Sequence, residues 1–260
     1  MRPIIPAVVP PLKHDNPFKR HYAPAVAFQW LAAGWRDLLA QPAPSLIYGF
    51  AVFVVSAIVV VGLFAFDLDY ILLPAFAGFM VVGPVLAIGL YEKSRRLAEG
   101  TPVSLGSMLL PRGLSMGQIL FAGVLLCLLM LLWMRAAVIL YALFFGLLPF
   151  PGLSQIAHVL FTTPTGWALL IVGSAVGALF AAFSFAISAF SIPMLLEKRT
   201  DALTAMGTSM ALVWNNLPVM LTWGVIVLAL FLLSLATGLL GLIVVFPLLG
   251  HGTWHAYRAI

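Results

Sequence analysis

The chain has 260 residues, of which 63% are hydrophobic and 8% charged, with a formal charge of +5 and a mean hydropathy of +1.13. Soluble domains carry roughly 25% charged residues, so there is too little polar surface here to cover a water-soluble globule. Long unbroken apolar runs exclude the short alternating segments of a β-barrel, and basic residues clustered at the ends of those runs exclude a nucleic-acid-binding face. What remains is an all-α polytopic membrane protein whose surroundings are membrane lipids.

Residues 1–27 read as a proline-rich cytoplasmic tail, because Pro3, Pro6, Pro10 and Pro11 prevent a continuous apolar helix and hence a signal peptide. Residues 28–260 then form a six-helix transmembrane domain. Phe28 to Leu39 places Phe28, Leu31, Trp35, Leu38 and Leu39 on one helical face, as expected of a helix lying among headgroups. A first span runs from Ser45 to about Phe66 and a second from Tyr70 to Leu90, ending in water at Glu92, Lys93, Arg95 and Arg96. The third starts near Met116 and stays apolar, apart from Gln118 and Arg135, as far as Phe150. An uncharged stretch from Pro149 to Gly166 suits the outer interface.

The fourth span, within Val172 to Thr200, is the expected central packing helix. Gly173, Gly177 and Ala181 recur every fourth position, a ridge on which neighbouring helices can approach backbone to backbone. Asp201 to Asn216 is a further amphipathic stretch, and a fifth span follows from Leu217 to about Thr237. A sixth runs to about Tyr257 if the chain turns at Gly238 to Gly241; a single overlong span is the rival reading.

With six spans paired in three hairpins, twelve of the thirteen Lys and Arg residues fall on one side and Arg135 on the other. The positive-inside rule then puts both termini in the cytoplasm. The returns Gly83 to Arg96, Ser191 to Thr200 and Phe246 to Arg258 each combine a proline with a polar end, a weak threefold repeat of one orientation.

GWRDLLAQPAPSLIYG (Gly34 to Gly49) and GHGTWHAYR (Gly250 to Arg258) resemble the opening and closing stretches of an uncharacterised bacterial family of six-span membrane proteins, a domain of unknown function. The resemblance implies a bacterial inner membrane and no particular activity. Labels within that family sometimes connect it with cytochrome oxidases.

Chemistry-bearing residues are sparse. None of the five histidines falls at mid-membrane, which excludes a haem–copper catalytic subunit but not an accessory respiratory role. His251 and His255 stand four apart on one helical face and form a weak metal-ligand pair, to which His14 or His21 would add a third ligand. Against that stands an interfacial band of Trp254, His255 and Tyr257. Arg135 needs a counter-charge, since a buried arginine costs roughly 2.5–3.5 kcal/mol at a helix centre; Asp67, Asp69 or a headgroup phosphate would supply it. No carboxylate lies within a span, and no histidine sits at the depth of Ser184 or Ser188. Neither an enzyme nor a cofactor is therefore expected. The leading expectation is a non-enzymatic accessory or structural component that packs with lipid or another integral membrane complex. The alternative is a channel or carrier for a small or lipid-like solute, lined by Ser184, Ser188 and Thr222.

Overall fold

A computed structural model of the chain describes residues 16–111, 113–146, 150 and 152–260; no strand occurs among them. Twelve helices follow in order: α1 (Val26–Ala40), α2 (Pro42–Ala65), α3 (Leu72–Leu86), α4 (Ile88–Ala98), α5 (Leu105–Leu109), α6 (Met116–Phe145), α7 (Leu153–Thr162), α8 (Pro164–Ser188), α9 (Ser191–Glu197), α10 (Ala202–Asn215), α11 (Leu217–Ala236) and α12 (Leu242–Ala259). Proline at the first position suits α2 and α8, where the missing N–H would have had no helical partner. Accordingly α2 begins at Pro42, not Ser45, and α8 at Pro164, eight residues ahead of Val172.

Five helical stretches are long and apolar enough to cross a membrane: Pro42–Ala65, Asp69–Ala98, Met116–Phe145, Pro164–Glu197 and Leu217–Ala236. The protein is thus a multi-pass integral membrane protein. The sixth expected crossing, α12, is a separate helix, but His251, His255 and Arg258 lower its hydropathy and it is not among the five. The start of α11 and the end of α12 meet: Arg20 donates from its backbone N–H to Asn216 Oδ1 and from Nε to the Ile260 carbonyl.

Two spans are discontinuous. The helix of the second breaks at Ala87, three residues after Pro84, and that of the fourth breaks at Ala189–Phe190, ahead of Pro193. Ser209 bridges the latter break, donating to the Ala186 carbonyl and accepting from the Phe190 N–H.

The centre of the bundle is α12, packed on α1, α2 and α4. A Cβ on Gly34 would fall 2.5 Å from Gly252 N, so α1 and α12 touch backbone to backbone. Gly49 lies in the same way against the Ile243 carbonyl, which Pro247 leaves without its helical donor. Trp30 and Trp223 meet edge to face beside Gly252 with centroids 6.0 Å apart. The inward face of α1 is therefore Ala27, Trp30, Gly34 and Leu38, so Leu38 leaves the expected face while Phe28, Trp35 and Leu39 stay exposed.

The fourth span was expected to hold this central place. Instead the ridge of α8 faces outward: Ser174, Ala178, Ala181 and Ala182 are exposed, Gly173 is half-buried, and Gly177 alone of its row meets a neighbouring helix, at the Trp133 ring of α6. Hydropathy does not distinguish a lipid-facing small-residue row from a protein-facing one, which is why α8 and α12 exchange roles. Gly34→Ala is expected to destabilise the protein by about 1–3 kcal/mol through overpacking. Gly62→Ala, with nothing within 4 Å of the new Cβ, is expected to leave it unchanged or slightly more stable. Thermal unfolding of the two variants in mild detergent compares them directly.

Candidate functional site

At the end of the bundle where α1, α2, α4 and α12 converge lies a cluster of polar side chains that water does not reach. Ser45, Glu92, Lys93 and His251 are each 0% exposed and Ser94 is 1% exposed. The second span was expected to end in water at Glu92 and Lys93; α4 instead carries both into the interior.

The hydrogen bonds form a chain. Lys93 Nζ donates to the Gln41 carbonyl at 2.6 Å and to Ser45 Oγ at 2.7 Å. The Ser45 hydroxyl is then free to donate to His251 Nε2 at 2.9 Å, and a proton on His251 Nδ1 reaches Ser94 Oγ at 2.8 Å. That order places the imidazole in its neutral Nδ1–H form, bound on both nitrogens. One turn further, His255 Nε2 lies 2.8 Å from Asp37 Oδ2 on α1. Asp37 is pulled two ways: burial pushes its carboxyl up, while hydrogen bonding from His255 and Ser94 and the nearby imidazoles pull it down, and the net value lies below the ordinary carboxylate range.

Glu92 is neutralised separately, by Arg95 Nη2 at 2.8 Å and Arg96 Nε at 2.6 Å. Glu197 on α9 accepts from Tyr257 at 2.8 Å and pairs with Arg258, tying α12 to the fourth span. Trp254 is 2% exposed and packs on Tyr257, so the expected interfacial band of Trp254, His255 and Tyr257 is an internal contact. The tail is docked here too: Asn16 donates to Asn215, Asn216 donates to the Phe18 carbonyl, and Tyr22 donates to the Ala259 carbonyl.

His251 and His255 share a helical face but are committed to different partners, and both nitrogens of His251 are already bound. His21 is exposed, and His14 lies outside the described residues. Among the described residues no group of three or more His, Cys, Asp or Glu could hold a metal ion. Arg135 is exposed on α6, and among the described residues it makes no ion pair with Asp67 or Asp69. Of the hydroxyls expected to line a solute path, Ser184 and Ser188 border one cavity, whereas Thr222 turns back to the Pro218 carbonyl.

The sequence signal for the buried cluster was the Gly-His-Gly of residues 250–252 combined with Gly34 and Gly49: two close backbone approaches, and Gly250 against the Leu90 side chain, around one histidine. Chemically the cluster holds a charge and a neutral imidazole in fixed order, with Ser45 0% exposed between them.

Residues 72–197 match the model of a family described as "Predicted integral membrane protein (DUF2189)". The match covers α3 to α9 and leaves out both α1 and α12. No curated protein and no solved structure matches the chain.

His251→Ala strands Ser45 and Ser94 in a dry site and is expected to cost roughly 1–3 kcal/mol in detergent unfolding. The pH dependence follows from Asp37. Its folded-state value is depressed, so its contribution is present above the ordinary carboxylate range and is lost as pH falls through the folded value. Melting temperature is expected to fall in acid more steeply for the wild type than for Asp37→Asn, which lacks this titration.

Proposed function

We propose, from a chain whose residues 72–197 match the model of this family of integral membrane proteins, a non-enzymatic bacterial inner-membrane component. It crosses six times in three hairpins, keeps both termini in the cytoplasm, and packs against lipid and a second integral membrane complex. The observation that carries this reading is the outward ridge of α8, where Ser174, Ala178 and Ala182 are exposed side by side. In lipid, helices associate through close packing of small residues, and this ridge has the shape for a helix from another protein. The burial of Ser45 and Lys93, each committed to hydrogen bonds within the cluster, supports the non-enzymatic part. Six crossings are supported by the meeting of Asn216 and Ile260 on Arg20, and the orientation by the gathering of Lys19, Arg20, Arg95, Arg96, Lys198 and Arg258 at that end.

A second reading has its own observation. The cavities between the spans are apolar, which favours a carrier for a lipid-like solute over an ion or water path.

Reporter tags test the topology: one after Arg96 and one after Ile260 are expected on the cytoplasmic side, and one after Asp69 on the opposite side. For the partner, Ala178→Cys in a Cys127→Ser background is expected to yield a disulfide or bismaleimide adduct with a second membrane protein in native membranes. Ala178→Leu with Ala182→Leu is expected to abolish co-purification without changing the melting temperature. Recovery of the unmutated protein alone, with no adduct, ends the docking reading.

A further inference from the structure

Two cavities flank one pair of aromatic rings. The larger, about 440 Å³, lies between α2 and α3 and extends from Leu63 and Leu239 to Leu105 and Leu109. The smaller, about 170 Å³, lies among α3, α8, α11 and α12. Phe79, Phe231 and Leu242 line both. The rings of Phe79 and Phe231 are stacked at 5.6 Å and 10° and stand in the linings of both cavities.

The smaller cavity is not uniform along its length. Toward Gly177, Trp133 and Phe231 its wall is hydrocarbon and indole. Toward the polar cluster it is bordered by the hydroxyl-bearing Tyr91, Ser184, Ser188 and Thr253. Tyr91, Ser184 and Ser188 are each 3% exposed or less.

Two of the proline-bearing returns reach this end: the first contributes Ala87 and Tyr91 and the third Gly250 and Thr253, while the end of α8 adds Ser188 and Ala189. Ala87 and Ala189 are the very residues at which the second and fourth spans break. Pro84 also leaves the Met80 carbonyl without an intrahelical donor, and both residues line the cavity. Interrupted helices at membrane depth are tolerated where backbone lines a cavity, and they commonly mark a binding site.

The lining contains no Asp, Glu, Lys, Arg or His. An ionised headgroup entering it would lose its hydration without gaining a counter-charge, which costs far more than a neutral group does. A carbonyl or hydroxyl oxygen, by contrast, finds hydroxyls within the same end of the cavity.

We propose that this cleft binds a neutral, single-chain lipid whose head carries a carbonyl or hydroxyl oxygen. The head is held by Tyr91, Ser184 and Ser188, and the tail passes the Phe79–Phe231 pair into the larger cavity. The proposal rests on the lipid-like-solute reading above and names its ligand class.

The test uses the full chain in phosphatidylcholine nanodiscs with three clickable, diazirine-bearing sixteen-carbon probes (about 16 carbons, long enough for ~20 Å of extended chain at a bilayer half-thickness of ~15 Å): a fatty alcohol, the matching carboxylate and the matching alkane. The alcohol is expected to label α3, α8 and α12 at cleft residues, and excess unlabelled hexadecanol is expected to compete it away. The carboxylate and alkane are expected to label lipid-facing surfaces without competition. Ser184→Val and Ser188→Val are each expected to reduce cleft labelling about fivefold, the equivalent of one neutral hydrogen bond. Phe79→Trp, a fold-preserving second variant, is expected to shift adducts out of the larger cavity while keeping those beside Ser188. Equal labelling by alcohol and alkane, or labelling indifferent to the serine variants, overturns the proposal. Specific labelling without transfer of the alcohol between vesicles leaves the binding site standing and ends the carrier reading instead.

Discussion

The backbone contact between α1 and α12 is the constraint from which the polar end of this bundle is built. Lipid tails are as apolar as leucine, so helices in a membrane are not driven together by water and must gain from close packing and hydrogen bonds. Gly34 against Gly252 and Gly49 against Ile243 bring three helices near enough for both. Only at that spacing does His251 reach Ser45 on one side and Ser94 on the other. The lysine depends on it in turn, since a buried ammonium without its Ser45 and Gln41 oxygens would be strongly unfavourable.

The remainder of the bundle is organised by interruption. Prolines occur in α3, α9 and α12, and two of the spans are divided beside them into an apolar part and a polar end. Those polar ends carry the glutamates: Glu92 is wrapped by two arginines of its own helix, and Glu197 ties to Tyr257 and Arg258 of α12. Between the breaks the helices are held apart enough to leave a cleft with hydroxyls at one end and hydrocarbon along the rest. One set of prolines therefore sets both the cohesion of the polar end and the space beside it.

Much of this was legible from residue order, and the part that was not has a physical cause. Span positions follow from hydropathy, and α2, α6 and α11 lie within a few residues of where the apolar runs place them. The misplaced centre follows from the same measure: α8 and α12 differ in which side their small residues face, and a one-dimensional average carries no such direction. Glu92 and Lys93 look like a span's watery end, because charge predicts exposure unless each charge has a partner; here Ser45 and Gln41 lie some fifty residues away in sequence. Asn215 and Asn216 look like helix terminators. They also hold the tail, a contact across about two hundred residues that no local pattern reveals.

The pairing of α1 with α12 also bears on how the chain is assembled. A ribosome delivers α1 first among the described helices and α12 last, so the α12 partners of Gly34, Asp37 and Ser45 emerge only after the five long apolar stretches. Until then Ser45 and Ser94 lack the imidazole that joins them, and Asp37 lacks its His255 partner. Closure of the polar end is thereby coupled to the arrival of α12, the last of the described helices to be made and the keystone of the cluster.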